Sequence, residues 1–233
     1  MNLSFKINNP NNIIIDTKEN YYVIPFGHRC STALIIKYAS LRKFSLPFDW
    51  TIPLYPDKIK SILKNNFEDF IPDVKNNIFE NKYGVILSHF DDDILNGIKQ
   101  YERRIERFNR IIKENKMIYF VYMNEDYIYS KKYREKEVND KFFFDMLELE
   151  KFLKKKYLNI NYTILFFNFF EYKIPKDSNI INIVLKTDKV SDTICDYCFN
   201  NYRLYCAKLL SNVFKTKFEP YLNVKLMNDL FSE

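Results

Sequence analysis

Residues able to do covalent or acid–base chemistry are few in this chain. Its only histidines are His28 and His89, and its cysteines stand at 30, 195, 198 and 206. Cys30 falls in Gly27-His28-Arg29-Cys30-Ser31, between the strand-like run Tyr21–Phe26 and the helical run Ser31–Ser40. A thiol at such a turn lies against the helix N-terminus, whose unpaired N–H groups and partial positive charge favour a thiolate. His28 and Arg29 add positive charge, and the N–H groups of Cys30 and Ser31 offer an oxyanion site. A nucleophile needs a base, and His89 ends the run Tyr83–Phe90. Sites in open α/β sheets gather at the carboxyl ends of strands. Cys30 and His89 therefore read as a nucleophile–base pair if their strands are neighbours. Either Asp91 or Asp49 is placed to orient the imidazole. Each residue also has a structural reading: Cys30 as a small apolar cap, Asp49 as a turn-fixing carboxylate, His89 as a surface residue.

Other constellations are weaker. Cys195-Asp-Tyr-Cys198 with Cys206 is short of the four ligands of a structural zinc site, and the three thiols suit one face of a late helix. His89 with Asp91 has ligand character but too few partners, so neither a metal nor another cofactor is expected. Arg103, Arg104, Arg107 and Arg110 read as a solvated face with Glu102 and Glu106 as partners. With three glycines in 233 residues, no Gly-rich phosphate loop is present.

The elements that must position these residues follow from periodicity. Strands are expected at Tyr21–Phe26, Tyr83–Phe90, Met117–Met123, Tyr162–Phe169 and Ile180–Leu185. Helices are expected at Ser31–Ser40, Pro56–Lys64, Asn96–Glu114, Lys136–Lys155 and Asp196–Phe214. Pro47 makes Leu46–Trp50 a turn. Fully apolar strands between amphipathic helices predict one α/β domain over residues 1–233, with a mainly parallel sheet covered on both faces. Residues 1–19 are an N-terminal extension to it.

Twenty-two Phe and eighteen Tyr exclude a disordered chain, because so much aromatic surface cannot stay solvated. No apolar run approaches the roughly 20 residues of a membrane span, and the N-terminus lacks a signal-peptide pattern. A cytoplasmic protein with reduced thiols is expected. The net charge of +6 is spread along the chain, which argues against specific nucleic-acid binding.

The order Phe26-Gly27-x-x-Cys30, Pro47-Phe48-Asp49-Trp50, Ser88-His89-Phe90-Asp91 and Tyr101-Glu-Arg-Arg104-Ile-Glu-Arg107-Phe108 resembles the family described as putative papain-like cysteine peptidases, found in bacteria and large DNA viruses. The resemblance covers roughly residues 20–125. It implies a nucleophile at Cys30 and a histidine base at His89, and it brings in a papain-like α+β fold as the alternative architecture. The expectation is a cysteine-dependent hydrolase or transferase acting on a peptide or other acyl substrate. His28, Arg29, Ser31, Trp50 and Arg104 are the candidate binding residues. Two rival readings are a non-catalytic interaction module and an enzyme of sugar or phosphate chemistry built on the arginine helix and Asp91–Asp93.

Overall fold

The computed structural model describes residues 3–9, 13–17, 20–72, 79–87, 94–126, 134–187 and 196–220. Its elements run β1 (Leu3–Asn8), β2 (Tyr21–Pro25), α1 (Ser31–Tyr38), β3 (Thr51–Ile52), α2 (Pro56–Lys64) and β4 (Ile86–Leu87). They continue with α3 (Ile94–Lys113), β5 (Met117–Met123), α4 (Lys136–Lys156), β6 (Asn161–Asn168), β7 (Ile180–Thr187) and α5 (Asp196–Phe214). Five strands form one sheet in the order β1-β7-β6-β5-β2. β2, β5, β6 and β7 are mutually parallel, and β1 alone is antiparallel, on β7. This is the expected α/β arrangement rather than the α+β alternative.

Strand side chains alternate between faces, so the unbroken apolar run of β5 serves two cores. Ile118, Phe120 and Tyr122 join Tyr22, Ile24, Phe26, Ile164 and Phe166 under α2, α3 and α4. Tyr119, Val121 and Met123 join Val23, Leu165, Phe167 and Ile183 under α1 and α5. An aromatic cluster pins the long β2-to-β5 crossover to the first face. Phe48 meets Phe26 edge-on at 5.8 Å and Phe108 at 5.9 Å, and Phe26 stacks on Phe120 at 4.0 Å. The turn holding Asp49 and Trp50 is thereby fixed beside the carboxyl end of β2.

Two expectations change. The strand read at Tyr83–Phe90 does not join the main sheet. Of its described residues, Ile86–Leu87 form a strand, paired antiparallel with Thr51–Ile52 in a separate two-stranded ribbon. The cause is local. Asn81 Oδ1 accepts the N–H groups of Tyr83 and Val85, its carbonyl accepts that of Gly84, and Gly84 takes φ +64°. That turn consumes the backbone groups a longer strand would need. At the other end, Leu3–Asn8, read as part of an extension, forms an edge strand of the main sheet.

Candidate active site

Parallel pairing of β2 with β5 brings two loops together at the carboxyl edge, with Pro25 opposite Val121 and the Phe26 N–H bonded to the Val121 carbonyl at 2.8 Å. One loop is Gly27-His28-Arg29-Cys30, leading into α1. The other is Asn124-Glu125-Asp126. Gly27 is required sterically, because a Cβ there would lie 1.4 Å from Thr32 Oγ1 in the first turn of α1. Arg29 takes φ +66° and donates its N–H to the Thr51 carbonyl at 3.0 Å, tying the turn to β3.

Cys30 caps α1, and its carbonyl accepts the Leu34 N–H at 3.0 Å. It is half-buried, whereas Cys206 on α5 is fully buried. Burial pushes the Cys30 thiol above its ordinary value. Arg203 and Arg29 oppose that rise, while Glu125 adds to it. Burial thus works against the resting thiolate expected from the helix N-terminus and the nearby cations.

His28 is likewise not a source of positive charge. It is 1% exposed, and burial holds its pKa below the ordinary value despite Asp126. Its Nδ1 accepts the Leu54 N–H at 3.1 Å, which fixes the proton on Nε2, and Nε2 donates to Asp126 Oδ1 at 2.7 Å. The ring stacks on Tyr55 at 4.9 Å, and the Tyr55 hydroxyl donates to Asp126 Oδ2 at 2.8 Å. With Arg29 at 3.6 Å, these donors overcome the burial of Asp126 and hold its carboxyl below 3.8. His28 is thus a structural post between β5 and the segment after β3.

On the other side of Cys30, the Ser31 hydroxyl donates to Glu125 Oε1 and accepts from Arg203 Nε, and Arg203 Nη2 lies 3.5 Å from Oε1. Glu125 is fully buried, and Oε2 has no hydrogen-bond partner among the described residues. Burial, only partly offset by Arg203, pushes its carboxyl up to about 8.

Asp49 is buried, with Oδ2 bonded to Arg42 and Oδ1 lacking a partner among the described residues. Burial raises its pKa against the pull of Arg42 and Arg104. Arg42 also lies 5.5 Å from the Trp50 ring centre. Arg104 does not sit on a solvated face as expected. It lies over Tyr101 at 4.6 Å, donates to Gln100 Oε1 at 3.3 Å, and keeps Nη1 buried without a partner among the described residues. Arg107 turns inward as well, onto the Ser45 carbonyl at 2.5 Å. Tyr101 links this group to Cys30: burial pushes its hydroxyl up to about 12, and the charges of Asp49 and Cys30 both act on it.

The structure thus gathers His28, Arg29, Cys30 and Ser31 at one edge, with Asp49, Trp50 and Arg104 nearby. His89, Asp91 and Cys195 lie outside the described residues. Glu125, Asp126 and Arg203 were missed in the sequence. The first two follow the most apolar strand at its carboxyl end, a position that could have flagged them. Among the described residues, no group of three or more His, Cys, Asp or Glu could hold a metal ion. No described helix is long and apolar enough to cross a membrane. A cavity of about 970 Å³ opens at the opposite edge of the sheet, lined by Asn66, Asn109, Lys113, Lys156 and Tyr157, with no cysteine or histidine in its lining.

No curated protein and no solved structure matches the chain. Residues 21–76, which contain β2, the Cys30 turn, Asp49, Trp50 and α2, match the family described as "Putative papain-like cysteine peptidase", the one that the sequence motifs resemble.

Proposed function

We propose that this protein is a cysteine-dependent acyl hydrolase or transferase, with Cys30 as nucleophile and His89 as base. The observation that carries the reading is the placement of Cys30. It is a half-buried thiol at the first turn of a helix, on the carboxyl edge of a parallel sheet, inside the segment that matches a cysteine-peptidase family. Elimination supports the base. Both ring nitrogens of His28 are engaged within a buried network, and His89 is the only other histidine in the chain. His89 stands two residues beyond Leu87, a span of at most about 7 Å. Leu87 pairs with Thr51, whose carbonyl holds the Arg29 N–H beside Cys30. Asp49 stands two residues before Thr51 with Oδ1 unmatched, which favours it over Asp91 as the group that orients the base.

Because the Cys30 thiol is protonated at rest, its proton leaves during attack. His89 takes the Sγ proton as Sγ bonds to the acyl carbon, and the N–H groups at the start of α1 stabilise the oxyanion. Collapse expels the leaving group, which receives the proton from His89. Water or another acceptor then releases the acyl group from the thioester. Arg29, Trp50 and Arg104 are the candidate substrate contacts, whereas Ser31 is fully buried, and a peptide is the first substrate class to try.

The test is reaction with p-nitrophenyl acetate, read by the burst of nitrophenol and by mass spectrometry. The expected result is one acetyl group on Cys30, absent in Cys30→Ala and formed about a hundredfold more slowly in His89→Ala. An undiminished burst in Cys30→Ala, or acetylation only elsewhere, would overturn the reading.

A further inference from the structure

Beside Cys30 lies a set of ionisable groups that this reaction does not use. Glu125 follows β5, Ser31 opens α1, and Arg203 comes from α5, and the three are joined by direct hydrogen bonds and an ion pair. The groups that face Glu125 come from every element around it. Arg203 is on α5, Arg29 and Ser31 belong to the turn into α1, and Asp126 is its neighbour. The thiols of Cys30 and of Cys206 on α5 both feel its charge. Arg29 is partly exposed and pairs with Asp126 at 3.6 Å, so among the described residues Arg203 is the cation in direct ion pairing with Glu125, with Arg29 acting from farther off. A desolvated pair of acids beside one guanidinium holds one negative charge far more readily than two. The fully buried Oε2 of Glu125 has no donor among the described residues to sustain a full carboxylate.

We infer that Glu125 is a positioning residue for the nucleophile: Glu125 and Cys30 share a single negative charge balanced by Arg203, so the thiol ionises only while the Glu125 carboxyl stays neutral. The inference rests on Cys30 being the nucleophile proposed above. Two directions agree with it. Burial pushes Glu125 up to about 8, into the range where a neighbouring charge decides its state. The Cys30 thiol is raised by burial first, then pulled down by Arg203 and up by Glu125. Protons balance in the reactive state: Cys30 gives its proton to the base, and Glu125 keeps its own.

The experiment is the pH profile of Cys30 alkylation by iodoacetamide on the full chain, read cysteine by cysteine by mass spectrometry. Glu125→Gln keeps the shape and removes the charge. The Cys30 midpoint is expected to fall by about one pH unit, giving roughly tenfold faster labelling below the midpoint. Arg203→Gln is expected to raise the midpoint by a similar amount, and it carries the test if Glu125→Gln does not fold. An unmoved or raised midpoint in Glu125→Gln, or an unmoved one in Arg203→Gln, overturns the inference. Alkylation needs no acyl substrate, so the two readings separate. Shifted midpoints without acylation of Cys30 sustain the shared charge and remove the nucleophile, whereas acylation with unmoved midpoints does the reverse.

Discussion

Glu125 and Asp126 are adjacent acidic residues at the end of one strand, and both are buried, yet their carboxyls move in opposite directions. Asp126 is held below 3.8 and Glu125 is pushed up to about 8. Depth contributes, since Glu125 is enclosed more completely than Asp126, and their donors differ as well. Asp126 has a donor for each oxygen, His28 on Oδ1 and Tyr55 on Oδ2, with Arg29 behind. Glu125 has its donors crowded on Oε1 and none on Oε2 among the described residues. Burial penalises both charges, and only a carboxylate met on both oxygens recovers the loss. The loop after β5 thus delivers a fixed anion to the His28 side and a titrating acid to the Cys30 side.

The sharpest way to break this contrast is Asp126→Ala. It strips the partner from the buried His28 Nε2–H and the Tyr55 hydroxyl, and the expected loss is about 3–5 kcal/mol in urea unfolding. A loss under about 1 kcal/mol would mean that Asp126 is no better matched than Glu125. Next in size is the pH dependence of stability, where the two acids have opposite signs. Glu125 has its folded value raised from 4.5 to about 8. Its contribution is therefore full below 4.5 and is lost as pH rises through about 8, by a few kcal/mol. Asp126 has its folded value depressed, so its contribution is present above 3.8 and lost on further acidification. Unfolding midpoints measured from pH 4 to 9 should show Glu125→Gln free of the loss between pH 4.5 and about 8; parallel curves for wild type and variant would refute the raised value. The smallest effect belongs to Tyr55→Phe. Removing one donor of three is expected to destabilise by about 1 kcal/mol and to raise the acid-unfolding midpoint slightly. No change would assign the Asp126 shift to His28 and Arg29 alone.

How far the sequence could lead differs between these two sides. The Cys30 turn was legible because Gly27 separates an apolar run from a helical one, and Phe26-Gly27-x-x-Cys30 has a local geometry that needs no partner to interpret. The main sheet was legible because β5 is apolar or aromatic throughout and β6 is apolar from Ile164 to Phe167. Tyr83–Phe90 misled because its composition suits a strand, while the Asn81 side chain and Gly84 divert its first half into a turn. Leu3–Asn8 alternates apolar and polar residues, a strand pattern too short and too far from the next strand to tell from an extension. Arg203 could not be read at all. Its meeting with Ser31 depends on α5 packing against α1, a contact between helices at opposite ends of the chain. The role of His28 was misread for a related reason: its partners, Leu54 and Asp126, are distant in sequence and settle its protonation only once folded.

The antiparallel strand β1 sets a timetable for the newborn chain. Its partner, β7, begins at Ile180, so at 5–20 residues per second the ribosome needs roughly 10–30 seconds between finishing one and starting the other. During that wait, Phe5 and Ile7, which stay partly exposed even in the finished sheet, belong to an unpaired strand with free backbone groups on both sides. Slower elongation before Ile180 would lengthen that exposure, whereas a chaperone that shields short extended segments at the tunnel exit would shorten it.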